Sequence, residues 1–431
     1  MARQTRKKIS ALALLGGTPV LKKPLPPFYS IGKKERAAAL GVLKGGLLSD
    51  FIGEPGDYFL GGKRVRALER AFAKKFKVRH AVSFNSGSTA LHGAIASLGI
   101  GPGDEVILPP YTMSASAAAI LQNGAVPIFA DIDEQTFCID PESVRKRITK
   151  YTKAIMAVNL FGQAADFGEL RAIAREHNLK IIEDNAQAIG ARWRGRLAGT
   201  IGDVGVFSFN FHKMIQAGEG GVLVTNDDRA ALRARMCRNH GENLSATHPE
   251  AGPIIGSNYR MTELTAAIAQ VQLTRFEELK RRRLALAYQL ERGLSGVPGL
   301  ILPYIAPGNT HMYFVYPMRV DEEILGISRD ALVAAMAAEG FPMSRGYVKP
   351  LYLLPVFQKR RAFNDTEFPF KSNYYGGDPD YAKGICPVAE RLYEKEFTFT
   401  LGGQHLYRGS HIDLFVKALK KVLAHKADLP R

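Results

Sequence analysis

The sequence predicts an α/β protein: a large unit built on a mostly parallel sheet, followed by a smaller α+β unit. Three observations carry that reading. Between Phe72 and Thr225, short apolar strand-like runs alternate with helix-like segments, the pattern of strands joined by helical crossovers. Polar residues able to do chemistry follow the ends of those runs, where parallel sheets collect ligands. After Arg260 the texture changes to one long helical pattern and then to mixed short elements.

The elements follow in order. Ala81-Val82-Ser83-Phe84 is a short apolar run. A polar turn, Asn85 to Thr89, leads into a helical pattern through Ala90, Leu91, Ala94, Ile95 and Leu98. Gly101-Pro102-Gly103-Asp104 stops that helix. Glu105 to Leu108 reads as a strand, Ser114 to Leu121 as a helix and Val126 to Ala130 as a strand. Lys153 to Leu160 is a strand, Phe167 to His177 a helix and Leu179 to Glu183 a strand. Val204 to Phe209 and Val222 to Thr225 are apolar pieces around Lys213. Asn85, Pro109 to Thr112, Asp184 and Ser208 all follow or close strand-like runs, so one sheet edge should gather them. Leu264, Ile268, Val271 and Leu279 share a helical face, which predicts one long helix to about Leu294. Met312 to Val320, Gly340 to Tyr347 and a helix over Ile412 to Ala424 complete the smaller unit. The expected division is an arm at 1–29, a large unit at 30–275 and a small unit at 276–431.

With 431 residues, 46% of them hydrophobic and 23% charged, the chain can bury a sizeable core. No apolar run approaches a membrane span. The basic start, with Arg3, Arg6, Lys7 and Lys8, precedes an apolar patch too short for a secretion signal and reads as a plain arm. Cys138, Cys237 and Cys386 show no CxxC spacing, so no disulfide framework or metal site is expected, and a reducing, cytoplasmic compartment is. The net charge is +17. It is scattered and no nucleic-acid motif accompanies it, so it reads as solvated helix faces and a preference for a small anionic substrate.

The chemistry centres on Lys213. It ends the run Phe207-Ser208-Phe209-Asn210-Phe211-His212-Lys213 and precedes Gly218-Glu219-Gly220-Gly221. Upstream, an apolar run closes on Glu183-Asp184-Asn185-Ala186-Gln187. A lysine, an upstream acid and a phosphate-sized turn are what a pyridoxal phosphate enzyme needs. The cofactor aldehyde takes an amine as a Schiff base, and its pyridinium nitrogen needs a carboxylate to act as an electron sink.

Together these motifs resemble the DegT/DnrJ/EryC1/StrS family of sugar aminotransferases, of the aspartate-aminotransferase fold (type I), from about Gly16 to the final helix. The stretches that carry the resemblance are Ser86 to His92, Gly101 to Val106, Glu183 to Gln187, Ser208 to Gly221 and Asn258-Tyr259-Arg260-Met261. The resemblance implies a seven-stranded-type sheet in the large unit and a homodimer with shared active sites. It implies Lys213 as the catalytic lysine, Asp184 on the pyridinium nitrogen and Gln187 beside the ring hydroxyl. Gly87, Ser88, Thr89 and Ser208 would hold the phosphate, although the turn also suits a bare helix cap. Relatives that are sugar dehydratases carry histidine at the lysine position, so Lys213 implies amino transfer. Asn258 at the cofactor and Arg260 at the substrate would reach into the neighbouring subunit's site, an amide and a guanidinium suited to phosphate, or else serve as a loop salt bridge or helix cap.

One departure stands out. Relatives place an aromatic ring over the cofactor where this chain has Met113. A thioether can lie against a heteroaromatic face, Tyr111 could compensate, and plain core filling is an equal alternative. His240, Arg345 and Tyr347 are further candidates at the substrate, with structural roles open for each. The function implied is transfer of an amino group from L-glutamate or L-glutamine to a keto sugar, foremost a nucleotide-linked keto-deoxysugar. A keto-cyclitol of the inosose type is the alternative, which Leu15-Gly16-Gly17-Thr18-Pro19 favours by its likeness to cyclitol relatives. A non-catalytic pyridoxal phosphate- or sugar-binding regulator is the remote one.

Overall fold

A computed structural model describes residues 11–27, 29–242, 252–401 and 407–429; the basic residues Arg3 to Lys8 lie outside them. Seven strands form the large sheet: β1 His80–Phe84, β2 Glu105–Leu108, β3 Val126–Phe129, β4 Thr152–Val158, β5 Lys180–Asp184, β8 Val204–Ser208 and β9 Gly221–Thr225. Their order is β1-β9-β8-β5-β4-β2-β3. A two-residue hairpin, β6 Arg192–Trp193 with β7 Arg196–Leu197, stands apart. Among the described strands of the large sheet, only β9 runs against its neighbours. The strands are almost wholly buried, as a sheet covered on both faces requires.

The helices of this unit are α1 Lys33–Gly45, α2 Lys63–Phe76, α3 Gly87–Ser97, α4 Ala115–Gln122, α5 Pro141–Arg147, α6 Phe167–Glu176, α7 Asp228–Arg238 and α8 Glu263–Thr274. Because β1 and β8 both pair with β9 in reverse, Phe84 and Ser208 each face Gly221. The carboxyl ends of β1, β5 and β8 therefore share one edge, and Asn85, Asp184 and Ser208 come with them.

The long helix expected after Arg260 is two helices, α8 and α9 Phe276–Leu294, broken at Arg275. No glycine or proline marks the break. The Arg275 guanidinium reaches out to the Ser30 carbonyl at 2.7 Å and to Glu35 at 2.8 Å. Glu35 is a buried carboxylate, and a buried carboxylate needs such a partner.

A three-stranded antiparallel sheet, β10 Leu300–Ile301, β11 Tyr316–Val320 and β12 Phe397–Thr400, carries a second core. Helices Arg329–Ala338 and Gly409–Ala424 pack on it. Gly340 to Tyr347 is a loop, bound along β12 by Ser344 N to Phe399 O at 3.2 Å and Gly346 N to Phe397 O at 2.9 Å. Leu12 and Leu25 enter the same core. Buried Glu339 accepts from the amides of Ala13 and Val20 and pairs with Lys421. Residues from Leu351 to Leu392 pack instead into the first core. There the Tyr381 hydroxyl donates to the Pro127 carbonyl on edge strand β3, which helps cover an edge that would otherwise stand open. Among the described residues no helix is long and apolar enough to cross a membrane.

Candidate active site

The site begins at the first turn of α3. The Ser86 Oγ accepts from Thr89 N at 3.1 Å, and Thr89 Oγ1 accepts from Ser86 N at 3.1 Å, a reciprocal cap. Thr89 Oγ1 also donates toward Asn85 Oδ1 at 2.7 Å. The Thr89 hydroxyl is thus occupied in shaping the turn, and the main-chain amides of Gly87 and Ser88 are the donors the helix start leaves over. Ser208, at the end of β8, lies against them. A Cβ added to Gly87 would come within 2.8 Å of Ser208 Cβ. Gly221 is fixed by the same crowding, since its added Cβ would meet the Ser86 carbonyl at 2.4 Å. Two glycines therefore let a helix start and a strand-end hydroxyl converge.

Asp184 closes β5 and is buried. Its Oδ2 accepts from Ser116 Oγ at 2.8 Å and its Oδ1 from Ala186 N at 3.1 Å. Burial raises its pKa, against the pull of these two bonds and of the Lys213 charge. Lys213 sits in the turn between β8 and β9, its amide bound to the Asn210 carbonyl at 2.9 Å. Its Nζ is turned inward, 4.4 Å from the centroid of the Phe314 ring. Burial lowers the amine's pKa to about 8, with the Asp184 charge opposing. Burial and the Lys213 charge push His212 down to about 4, so its imidazole is neutral at physiological pH.

Gln187 holds both ends of its amide in fixed bonds. Oε1 accepts from Phe161 N at 3.0 Å, and Nε2 donates to the Tyr347 hydroxyl at 2.9 Å. Tyr347 thus comes to the Asp184–Gln187 turn from the small unit's loop. Burial and the Asp184 charge raise it to about 12, the Gln187 bond opposing, so it stays a neutral phenol. Tyr111 is fully buried beneath it, its hydroxyl accepting from Tyr347 N at 2.9 Å. It supports the Tyr347 loop and does not stand in for the aromatic stack. Met113 is not core filler: it is 53% exposed, and its Sδ accepts from Ala115 N at 3.2 Å, at the start of the helix that brings Ser116 to Asp184.

The remaining candidates lie farther out. Asn258 is exposed, and its carbonyl accepts from Asn85 Nδ2 at 3.3 Å. Arg260 Nε donates to Asn239 Oδ1 at 2.6 Å. His240 is an exposed turn residue at φ 66°, bound through its amide to the Ser257 carbonyl. These three form one strip beside the α3 turn. Arg345 is exposed and shows no ion pair among the described residues. Sequence reasoning did not find Ser116 or Phe314. Ser116 follows a strand end by a few residues, a weak signal; Phe314 arrives from the small unit and had none.

The donor set fits pyridoxal phosphate. Two free amides and a hydroxyl suit a phosphate, a poorly solvated carboxylate suits a cationic ring nitrogen, and a lysine that loses its proton readily suits an aldehyde. The Gly87 contact gives a test. Gly87→Ala is expected to weaken pyridoxal phosphate binding by about 1–3 kcal/mol through overpacking and to leave binding of unphosphorylated pyridoxal nearly unchanged. Equilibrium dialysis with both ligands measures the difference.

Known proteins resemble this chain over most of its length. The chain is 39% identical over 297 residues to the GDP-perosamine synthase of Caulobacter vibrioides, covering 69% of this chain and 79% of that one. It is 36% identical over 441 residues to the L-glutamine:2-deoxy-scyllo-inosose aminotransferase of Streptoalloteichus tenebrarius, covering 97% and 99%. The crystal structure of DesI in the presence of its TDP-sugar product superposes with a TM-score of 0.79 at 28% identity, over 97% of this chain and 98% of that one. Residues 53–377 match the DegT/DnrJ/EryC1/StrS aminotransferase family, and the chain belongs to that family.

Proposed function

We propose that this protein binds pyridoxal phosphate and moves an amino group from L-glutamate or L-glutamine to a ketone on a sugar ring. The convergence of Lys213 and buried Asp184 on one sheet edge, with Ser208 and the α3 turn beside them, carries the reading. When bound, pyridoxal phosphate supplies an aldehyde for an amine and a ring that withdraws electrons. The protein does the rest. The amides of Gly87 and Ser88 and the Ser208 hydroxyl would hold the phosphate. Asp184, oriented by Ser116, would keep the ring nitrogen protonated. Gln187 and the neutral Tyr347 hydroxyl would offer donors to the ring oxygen. Lys213, with its amine lowered to about 8, can both take and return a proton near neutral pH, which general acid–base catalysis needs. Met113, exposed beside the site, would offer its thioether to the cofactor.

The working form is proposed to be a homodimer. From Leu40 to Tyr58 the chain exposes Leu40, Leu43, Leu47, Leu48, Ile52 and Tyr58, apolar side chains that a second copy would cover. Asn258 and Arg260 would then serve the partner's site, with His240 beside them. The buried free thiols of Cys138, Cys237 and Cys386 suit a reducing, cytoplasmic setting.

A nucleotide-linked keto-deoxysugar is the first acceptor proposed. The net charge of +17 and Arg345, which has no ion pair among the described residues, support it, since both favour a diphosphate. An inosose is the second, supported by the nearly full-length match to an inosose aminotransferase. The experiment offers L-glutamine with a GDP- or dTDP-linked keto-deoxyhexose or with 2-deoxy-scyllo-inosose, and weighs the amine product by mass spectrometry. Amination of the nucleotide-linked ketone supports the first reading. Amination of the inosose alone replaces it with the second. Amination of neither, with the donor still deaminated, rejects both acceptors.

A further inference from the structure

Phe314, which meets the Lys213 amine, reaches it across a large gap in sequence, and its placement is unusually constrained. Its amide donates to the Phe161 carbonyl at 2.8 Å, and the Met312 amide donates to the Gly162 carbonyl at 2.7 Å. Phe161 lies at φ 56° and Gly162 at φ 112°. A Cβ on Gly162 would come within 2.7 Å of Tyr313 N, so the approach of the two backbones needs a glycine there. Arg283 on α9 donates through Nη1 to the carbonyls of Tyr313 at 2.8 Å, Phe314 at 2.9 Å and Leu401 at 3.4 Å. No carboxylate pairs with Arg283 among the described residues. A cation satisfied by carbonyl dipoles alone holds those carbonyls in place, because leaving them would strand a desolvated charge. The Phe161 amide also donates to Gln187 at 3.0 Å, so the loop that seats Phe314 is joined to the turn carrying Asp184. His212 flanks the same phenyl, ring centroids 5.6 Å apart.

We propose that Phe314 is a positioning residue for Lys213: the segment clamped by Arg283 holds the phenyl face against the amine and so fixes where that amine rests when it is free. The inference rests on the catalytic role proposed above for Lys213. The phenyl acts on the amine in two opposed ways. Its face attracts an ammonium, and its bulk keeps water away, which disfavours the ammonium. Substitutions separate the two. Phe314→Leu keeps an apolar wall and removes the face. Phe314→Ala removes both and admits water.

The test uses the full-length protein freed of pyridoxal phosphate. Trace acetylation across a pH series, read by mass spectrometry of the Lys213 peptide, gives the titration midpoint of that amine. The wild-type midpoint is expected near 8, as burial dictates. Phe314→Leu is expected to lower it by about half to one pH unit. Phe314→Ala is expected to raise it toward an ordinary lysine, by about one pH unit or more. Midpoints that stay at the wild-type value in both variants, or that move the same way in both, would overturn the proposal. Should Phe314→Ala fail to fold, Phe314→Leu still decides: an unchanged or raised midpoint counts against the ring. Uptake of pyridoxal phosphate by the wild type is followed separately by its visible absorption. Failure there rejects the cofactor reading, while the labelling midpoints still judge Phe314.

Discussion

Lys213→Ala is expected to abolish amino transfer, lowering kcat by at least about 10³-fold, the upper part of what a positioned acid–base group contributes. Two functions leave together: attachment of the cofactor aldehyde and the shuttling of a proton. The fold should survive, because Lys213 lies in a turn and its side chain makes one ring contact and no ion pair among the described residues. Its amide, bound to the Asn210 carbonyl, is untouched by the change. Pyridoxal phosphate should still bind through the α3 turn and Ser208, now without a covalent bond, so that gel filtration strips it. Retention of the cofactor through denaturation in the variant would show that another amine does the work.

Asp184→Asn carries the second large effect, and its sign differs between activity and stability. An amide cannot hold the ring nitrogen in its protonated form. Loss of a buried charged pair of this kind is worth about 3–5 kcal/mol, so kcat should fall by roughly 10²–10⁴-fold. Without cofactor, the same change removes a carboxylate whose burial raises its pKa. The amide can keep both existing bonds, accepting from Ala186 and donating to the Ser116 oxygen. The variant is therefore expected to melt at or above the wild type when both lack cofactor. An acid whose folded pKa is raised costs stability while it is ionised. The difference between the two proteins should be largest at neutral pH and shrink as pH falls through the folded value. It should vanish below about 3.9, the unfolded value. Thermal melts across a pH series measure this; a variant less stable at neutral pH would mean that Asp184 is held by a partner other than those described.

Much of the fold was legible because the large sheet is built from local signals. Short apolar runs broken by Gly-Pro-Gly-Asp or by polar turns placed β1, β2, β3, β5 and β8 to within a residue or two. The polar residues at their ends were gathered by topology alone. The reversed direction of β9 left no such mark, and its pairing with β1 and β8 is what brings Gly221 between Ser86 and Ser208. Features set by long-range packing were not legible. The break at Arg275 answers to Glu35 and Ser30, far away in sequence. Leu351 to Leu392 follows the long helix in sequence yet joins the first core. Which way Met113 and Tyr111 face was not legible for one reason: a single apolar residue after a strand does not reveal its direction. Tyr111 turned inward to support Tyr347, and Met113 turned out to solvent.

An amino group taken from an amino acid by way of Lys213 is what the proposed function requires first. The most direct measurement loads the protein with pyridoxal phosphate and adds L-[α-¹⁵N]glutamine or L-[¹⁵N]glutamate in the absence of any ketone acceptor. The matching 2-oxo acid is expected to form, with up to one equivalent of ¹⁵N per chain recovered on the cofactor, and neither in Lys213→Ala. Bound cofactor that acquires no label from either donor, or label acquired equally by the alanine variant, would contradict it.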